Sequence, residues 1–241
     1  MRKILILSLI FAISALASCR YMNGERVKGN GNEKTETRSV GNFSSISSYG
    51  EYDVYLTQGS NYNVQIEADE NLLSYIETQV EGDVLEIRTK EGFWLQPRHK
   101  MKVHITAPSF AKVKTYGSGD IISENKLNNT SNIELEVSGS GNVKVDLNAP
   151  EVRAELSGSG NINLSGETKS FSGEIMGSGD IRAGELRAEN VSIDIAGSGN
   201  ADVYASVKLS VDVKGSGDVK YRGGAQVSSD IAGSGSVKKI D

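Results

Sequence analysis

Residues 153–165 read RAELSGSGNINLS and residues 172–184 read SGEIMGSGDIRAG. In each, a Gly-Ser-Gly-Asx tetrad is flanked by residues that alternate between apolar and polar. The tetrad occurs seven times, as GSGD, GSGN, GSGN, GSGD, GSGN, GSGD and GSGS. Its fourth residues are Asp120, Asn142, Asn161, Asp180, Asn200, Asp218 and Ser236, spaced 22, 19, 19, 20, 18 and 18 residues apart. A motif returning at so steady a period is a structural repeat, in which each unit stacks on its neighbours and chain length sets the number of units.

The residue after each tetrad is Ile121, Val143, Ile162, Ile181, Ala201, Val219 or Val237. Two places before each stand Thr115, Val137, Leu156, Ile175, Ile195, Val213 and Ile231. Alternation continues outward in IELEV, VKVDL, VSIDI and VKLSVDV, the mark of strands buried on one face. Helix is excluded, because two glycines per tetrad would each cost about 1 kcal/mol in a helix interior and the apolar residues do not fall at i, i+3, i+4. Antiparallel hairpins would accept the alternation. A corner repeated at one phase of the period instead fits a chain that climbs one coil per repeat, a parallel β-helix in an all-β fold.

Identical positions of successive coils then lie about 4.8 Å apart, and seven coils make a column of roughly 30–35 Å. Glycine supplies the backbone conformations of the corner, and the Asx residue is expected to hydrogen-bond its own turn while forming a ladder with its neighbours.

Residues 42–110 alternate less regularly. They hold a degenerate corner, Tyr49-Gly50-Glu51-Tyr52-Asp53, followed by Val54, then a short helix expected at NLLSYIETQ and the strand VLEIRTK. Most aromatics lie here and are expected to cap one end of the column, since solenoids need atypical ends. Residues 111–241 carry the seven repeats.

The first 18 residues have the form of a signal peptide. Arg2 and Lys3 precede the 12-residue apolar run ILILSLIFAISA, too short to span a bilayer comfortably. Leu16-Ala17-Ser18-Cys19 matches a lipobox, so Cys19, the chain's single cysteine, is the expected site of acylation, including palmitate, and the membrane is the expected partner through that anchor. One cysteine also rules out a disulfide within the chain. Residues 19–41, polar and rich in Gly, Asn, Lys and Glu, read as the lipidated cysteine and a flexible tether. The expected location is the bacterial cell envelope, as an outer-membrane lipoprotein facing the periplasm or the outside.

The net charge is −5, and losing Arg2 and Lys3 takes it to −7. That balance, with no basic cluster interleaved with aromatics, argues against nucleic acid. His99 and His104, the only histidines, fall five residues apart on RHKMKVHITA, which sends them to opposite faces of a strand. His104 reads as partly buried and His99 as solvated. No tetrad is followed by Gly-Lys-Ser/Thr or precedes a helix, so none is a phosphate cradle. Calcium β-rolls carry GGxGxDxUx, whereas these tetrads lack the spacer before Asp and put Asn or Ser at four of seven positions, where a hard cation prefers charged oxygens. No catalytic residue, metal site or cofactor is expected.

Three places before the tetrads stand Glu136, Glu155, Glu174, Asp194, Asp212 and Asp230, with Lys114 at the first corner. Stacked, they form an outward acidic ladder in which neighbours repel by about 1 kcal/mol even in water. Lys144, Arg182, Lys220 and Lys238, two places after the Asx and interrupted by Asn163 and Asp202, are expected to offset it. The same strip could instead bind a glycan or protein ligand.

The opening FSSISSYGEYDVYLTQG, the segment VQIEADENLLSYIETQVEGDVLEIRTK and the serial GSGD/GSGN corners resemble the "putative autotransporter adhesin, head GIN domain" family of bacterial envelope proteins, over about residues 40–238. The resemblance implies a right-handed β-helix and an adhesin role, and brings no catalytic residues. Three readings follow: a noncatalytic lipid-anchored surface for adhesion or envelope interaction; a carbohydrate-active β-helix enzyme, which would need clustered carboxylates with aromatics or arginines in one groove; and a structural or regulatory periplasmic domain. Oligomeric state is left open.

Overall fold

A computed structural model of the chain describes residues 24–241. The leader and Cys19 lie outside the described residues. The strands, in chain order, are β1 (Glu25–Lys28), β2 (Glu33–Arg38), β3 (Ser45–Gly50), β4 (Asp53–Gln58), β5 (Asn63–Asp69), β6 (Ile76–Glu81), β7 (Val84–Thr89), β8 (Phe93–Gln96), β9 (Lys102–Ala107) and β10 (Lys112–Gly117). They continue with β11 (Ile121–Ser123), β12 (Leu127–Asn128), β13 (Ile133–Gly139), β14 (Asn142–Gly158), β15 (Asn161–Gly177), β16 (Asp180–Gly197), β17 (Ala201–Gly215), β18 (Asp218–Arg222), β19 (Gln226–Gly233) and β20 (Ser236–Lys239). The architecture is an all-β solenoid of about seven turns.

From β10 onward every pairing is parallel, and the register superposes one repeat on the next. Val137 pairs with Leu156, Leu156 with Ile175, Ile175 with Ile195 and Ile195 with Val213. Across the corner, Ile121 pairs with Val143, Val143 with Ile162 and Ile162 with Ile181. Alternation sends these side chains inward, where Val137, Leu156, Ile162 and Ile181 have no exposed surface. Thr115, the one polar member of the inner row, is also buried, and its hydroxyl donates to the carbonyl of Gly119. Each apolar row is thus a continuous spine, stabilised by roughly 1.5–3 kcal/mol for each large side chain removed from water.

Uneven repeat lengths are absorbed away from the corner. Arg182 and Ala183 stay in register with Asp202 and Val203, but the next partners are Arg187 and Tyr204, so β16 bulges by three residues, Gly184–Leu186, on the coil's far side, and β17 regains one between Ala205 and Lys208, leaving this coil two residues longer. This is why the period varies while the tetrads remain stacked.

The lower end is built differently. The coil β3–β4 lies between β10–β11 above and β7 and β9 below. Antiparallel strands then close the edge, with β5 pairing β9, β2 pairing β5, and β6 pairing β7. Phe43, Tyr52 and Phe110 are fully buried in this region.

Two local expectations are corrected. The expected helix at NLLSYIETQ is a short 3-10 helix, Glu70–Tyr75, that buries Leu72 and Leu73 before the chain extends into β6. The expected tether is ordered from residue 25: β1 pairs with β8 and β2 with β5. Composition misled here because the segment KGNGN is held by polar partners distant in sequence. The Asn30 N–H donates to Asn71 Oδ1 and Asn71 Nδ2 to the Lys28 carbonyl, each at 2.8 Å. The Glu70 N–H reaches the Asn32 carbonyl at 2.7 Å, and Gly31 N donates to Asp69 at 3.0 Å. Ordering entropy is offset by hydrogen bonds rather than apolar burial.

Candidate functional site

The stacked tetrads position the side chains that lie outside them. The first glycine of each has positive φ, from +128° at Gly158 to +145° at Gly233, a region closed to residues with a Cβ. The second glycine has a different reason: a Cβ on Gly160 would strike the Gly141 carbonyl oxygen of the coil beneath, and the same holds from coil to coil. The degenerate corner proves the rule. Gly50 pairs with Gly117 and has φ +124°, while Tyr52 takes the second glycine's place. Below it the chain departs into the 90–101 segment, and the Tyr52 ring turns inward instead. Its hydroxyl sits 2.6 Å from Thr89 Oγ1, and burial pushes its pKa up to about 12.

The fourth tetrad residues form a ladder between coils rather than bonds within their own turns. None has positive φ. Asp120 Oδ1 accepts from the Asn142 backbone and side-chain N–H groups at 2.9 and 2.8 Å, and Asn142 Oδ1 accepts from Asn161 Nδ2 at 2.7 Å. Asp180 Oδ1 accepts from Asn200 in the same double manner at 3.2 and 3.0 Å, while Asn200 and Asp218 accept from Asp218 N and Ser236 Oγ. Between Asn161 and Asp180 the side-chain chain breaks, and Asp180 turns to Arg182 at 2.9 Å. No two of the seven tetrads place Asp on Asp. Where the degenerate corner does so, with Asp53 beneath Asp120, Lys100 stands 2.8 Å from Asp53. Asp/Asn choice therefore follows charge and donor supply. Among the described residues no three acidic, His or Cys side chains converge as a metal centre.

The outer row of Lys114, Glu136, Glu155, Glu174, Asp194, Asp212 and Asp230 is in continuous register. Its counter-charges do not come from across the corner. Lys114 lies 2.5 Å from Glu136, Arg153 2.6 Å from Glu155 and 3.8 Å from Glu174, and Lys214 3.0 Å from Asp212. Arg153 and Lys214 project from the same face two residues along their own strands, whereas Lys114 is a member of the row and meets Glu136 directly across the coils. The Glu136 carboxylate raises the Lys114 ammonium, as Glu155 raises Arg153 and Asp212 raises Lys214. Among the expected counter-charges, Arg182 pairs with Asp180, while Asp202 is held by Arg222 at 3.0 Å.

The histidines are not brought together. His104 lies on β9 and stacks on Tyr55 with centroids 4.9 Å apart, and His99 sits before that strand against Asp69.

A feature not foreseen is an aromatic cleft at the lower corner, about 310 Å³, lined by Tyr49, Glu51, Arg88, Phe93, Trp94 and Met101 among others. Trp94, the only tryptophan, is 46% exposed and Tyr49 39%. The Tyr49 ring stacks in parallel on Tyr116 with centroids 4.9 Å apart, and Tyr49 also lines the cleft. Arg88 is committed to Glu77 at 3.1 Å and Glu86 at 3.7 Å. A larger open groove of about 670 Å³ runs along the far side of the coils, where Arg187 caps the Tyr204 ring at 4.5 Å. The signal available in the sequence was Glu91-Gly92-Phe93-Trp94-Leu95, apolar residues next to a turn, but nothing local told which ring would face water.

Corners that bend by glycine, an interior of stacked aliphatic rows and an outer surface of aligned polar rows define a β-solenoid. The chain belongs to the family described as "Putative auto-transporter adhesin, head GIN domain", whose model matches residues 42–225. Its fold is similar to the crystal structure of "a putative adhesin" from Bacteroides fragilis NCTC 9343, with a TM-score of 0.83, 27% identity, and coverage of 89% of this chain and 100% of that one. A "putative lipid binding protein" and a "putative adhesin", both from Parabacteroides distasonis ATCC 8503, give TM-scores of 0.76 and 0.72. Each is 28% identical and covers 90% of this chain and 100% of its own. No curated protein matches the chain.

Proposed function

We propose that this chain is a lipid-anchored, noncatalytic envelope protein that presents its β-solenoid as a surface for adhesion or envelope interaction. The observation that carries the reading is the unbroken register of the outer rows from Lys114 to Asp230. Side chains fixed in rows by a stacked backbone form a binding surface whose ordering is already complete, which lowers the cost of association. Membership of an adhesin-like family points the same way. The described carboxyl groups whose pKa is displaced, Glu67, Asp69 and Glu134, all move downward, away from what a general acid needs near neutrality.

The lipobox at Leu16–Cys19 supplies the anchor in this reading. Replacing Cys19 by Ser should leave the protein unprocessed or release it from membranes, while wild type resists extraction with salt. Protease treatment of whole cells then reports which side of the envelope the column faces. A wild-type protein that washes off with salt, or a purified column that cleaves a polysaccharide, would overturn the proposal.

A further inference from the structure

The order found at residues 25–38 changes the geometry of anchoring. If Cys19 carries the lipid, only five residues separate it from Glu25, the first residue of β1. Six Cα-to-Cα steps reach at most about 21 Å even fully extended. The anchor therefore enters the column at one defined place, β1. That strand is paired in register with β8, setting Arg26 beside Trp94 and Glu25 beside Phe93. The chain's single tryptophan, nearly half exposed, is thus on the strand next to the one that leads to the lipid.

We infer that the lower corner of the column, centred on Trp94 and Tyr49, seats on the surface of the anchoring membrane. This rests on the lipid-anchor reading above. Indole and phenol rings prefer the boundary between hydrocarbon and water, where an apolar body and a polar tip are both satisfied. The surrounding charges are mixed. Arg26, Arg88 and Lys90 stand against Glu51, Glu77 and Glu86, so the patch suits a zwitterionic headgroup layer and has no basic cluster to select anionic lipid.

A sugar would be the other occupant for an aromatic cleft, and the polar groups argue against it. Arg88 is already held by two carboxylates and Thr89 Oγ1 by the Tyr52 hydroxyl, so two of the cleft's hydrogen-bonding groups are engaged before a ligand arrives. Tethering also removes the need for high intrinsic affinity, because a short linker holds the patch at an effective concentration in the millimolar range.

One cysteine and one tryptophan make the test direct. The protein starting at Cys19 is coupled through that thiol to maleimide-bearing lipid in phosphatidylcholine vesicles, so the measurement does not depend on acylation in the cell. Trp94 emission is then compared in ordinary vesicles and in vesicles of brominated phosphatidylcholine. The expected result is a blue shift on coupling and a loss of at least a third of the emission in brominated vesicles. A second reporter, Trp94→Phe with Val207→Trp on an exposed upper coil, should show neither. Coupled protein whose Trp94 is quenched no more than the reporter at position 207 would overturn the inference. So would saturable binding of a neutral oligosaccharide at Trp94 without lipid quenching, which would assign the cleft to sugar. Failure of the anchor reading would appear separately, as loss of wild-type protein from cell membranes on washing with salt.

Discussion

The carboxylate of Asp69 accepts a hydrogen bond from Nδ1 of His99 at 2.9 Å with none of its own surface exposed. An ionised carboxylate can only accept, so His99 carries a proton on Nδ1. Backbone N–H groups of Arg98 and Gly31 bond the same carboxylate at 2.6 and 3.0 Å, fastening the KGNGN turn and the 97–99 loop to the end of β5.

Burial raises the pKa of Asp69, but the N–H of Arg98, the His99 ring and further backbone donors together outweigh it and the net displacement is downward. A carboxyl group held ionised in the folded state contributes its full stability above the unfolded value near pH 4 and loses it as the pH falls through the lower folded value. Asp69→Asn should therefore cost about 1–3 kcal/mol at pH 7 and flatten the acid limb of the stability curve. Urea denaturation at pH 7 and at pH 3 checks both. An acid limb as steep as that of wild type would show that Asp69 is not its source.

At the corners, Gly160→Ala should cost 2 kcal/mol or more, on the order of an overpacked core site, because the new methyl meets backbone that cannot rotate away. Ser159→Ala, between the two glycines, should stay within about 0.5 kcal/mol. Equal denaturation midpoints for the two variants would contradict the close stacking of second glycines.

The Asx ladder makes a graded prediction. Asp180→Asn keeps an acceptor for Asn200 and should be nearly neutral, whereas Asp180→Leu strands both donors of Asn200 and should lose about 1–2 kcal/mol. Chelators should leave the melting temperature unchanged. A chelator-dependent fall reversed by calcium would make the corners ion sites.

Asp194 stands between Glu174 and Asp212 in the acidic row and is exposed. Asp194→Asn should stabilise by a few tenths of a kcal/mol at low salt, and the gain should vanish near 1 M salt, where the screening length is about 3 Å. Thermal melts across a salt series decide it, and a loss of stability at low salt would mean that this carboxylate is attracted rather than repelled by its surroundings.

The coils were legible because a solenoid repeats its reasons. Each inner position faces an equivalent position, so the alternation around Val137, Leu156 and Ile175 carried the register as well as the strand. The lower end was not legible. It mixes parallel pairs with antiparallel ones that close the edge, and the bonds that order Gly29–Asn32 come from Asp69 and Asn71, about forty residues on and themselves polar. Of the candidate site, the acidic row could be read from spacing, but not its partners. Arg153 and Lys214 reach it along their own strands, a choice of side-chain direction rather than of repeat position. Trp94 was invisible as a surface residue because exposure of a ring is decided by what fails to cover it.

The stacking of second glycines also sets the currency in which such a protein can change length. Joining Gly160 directly to Asp180, by excising residues 161–179, would leave GSG followed by D, so the splice itself would write a complete corner. Duplication of the same segment does likewise. Growth and shrinkage by whole coils thus preserve every junction, and the distance between the two ends of the molecule becomes a heritable quantity adjustable in steps of about 5 Å.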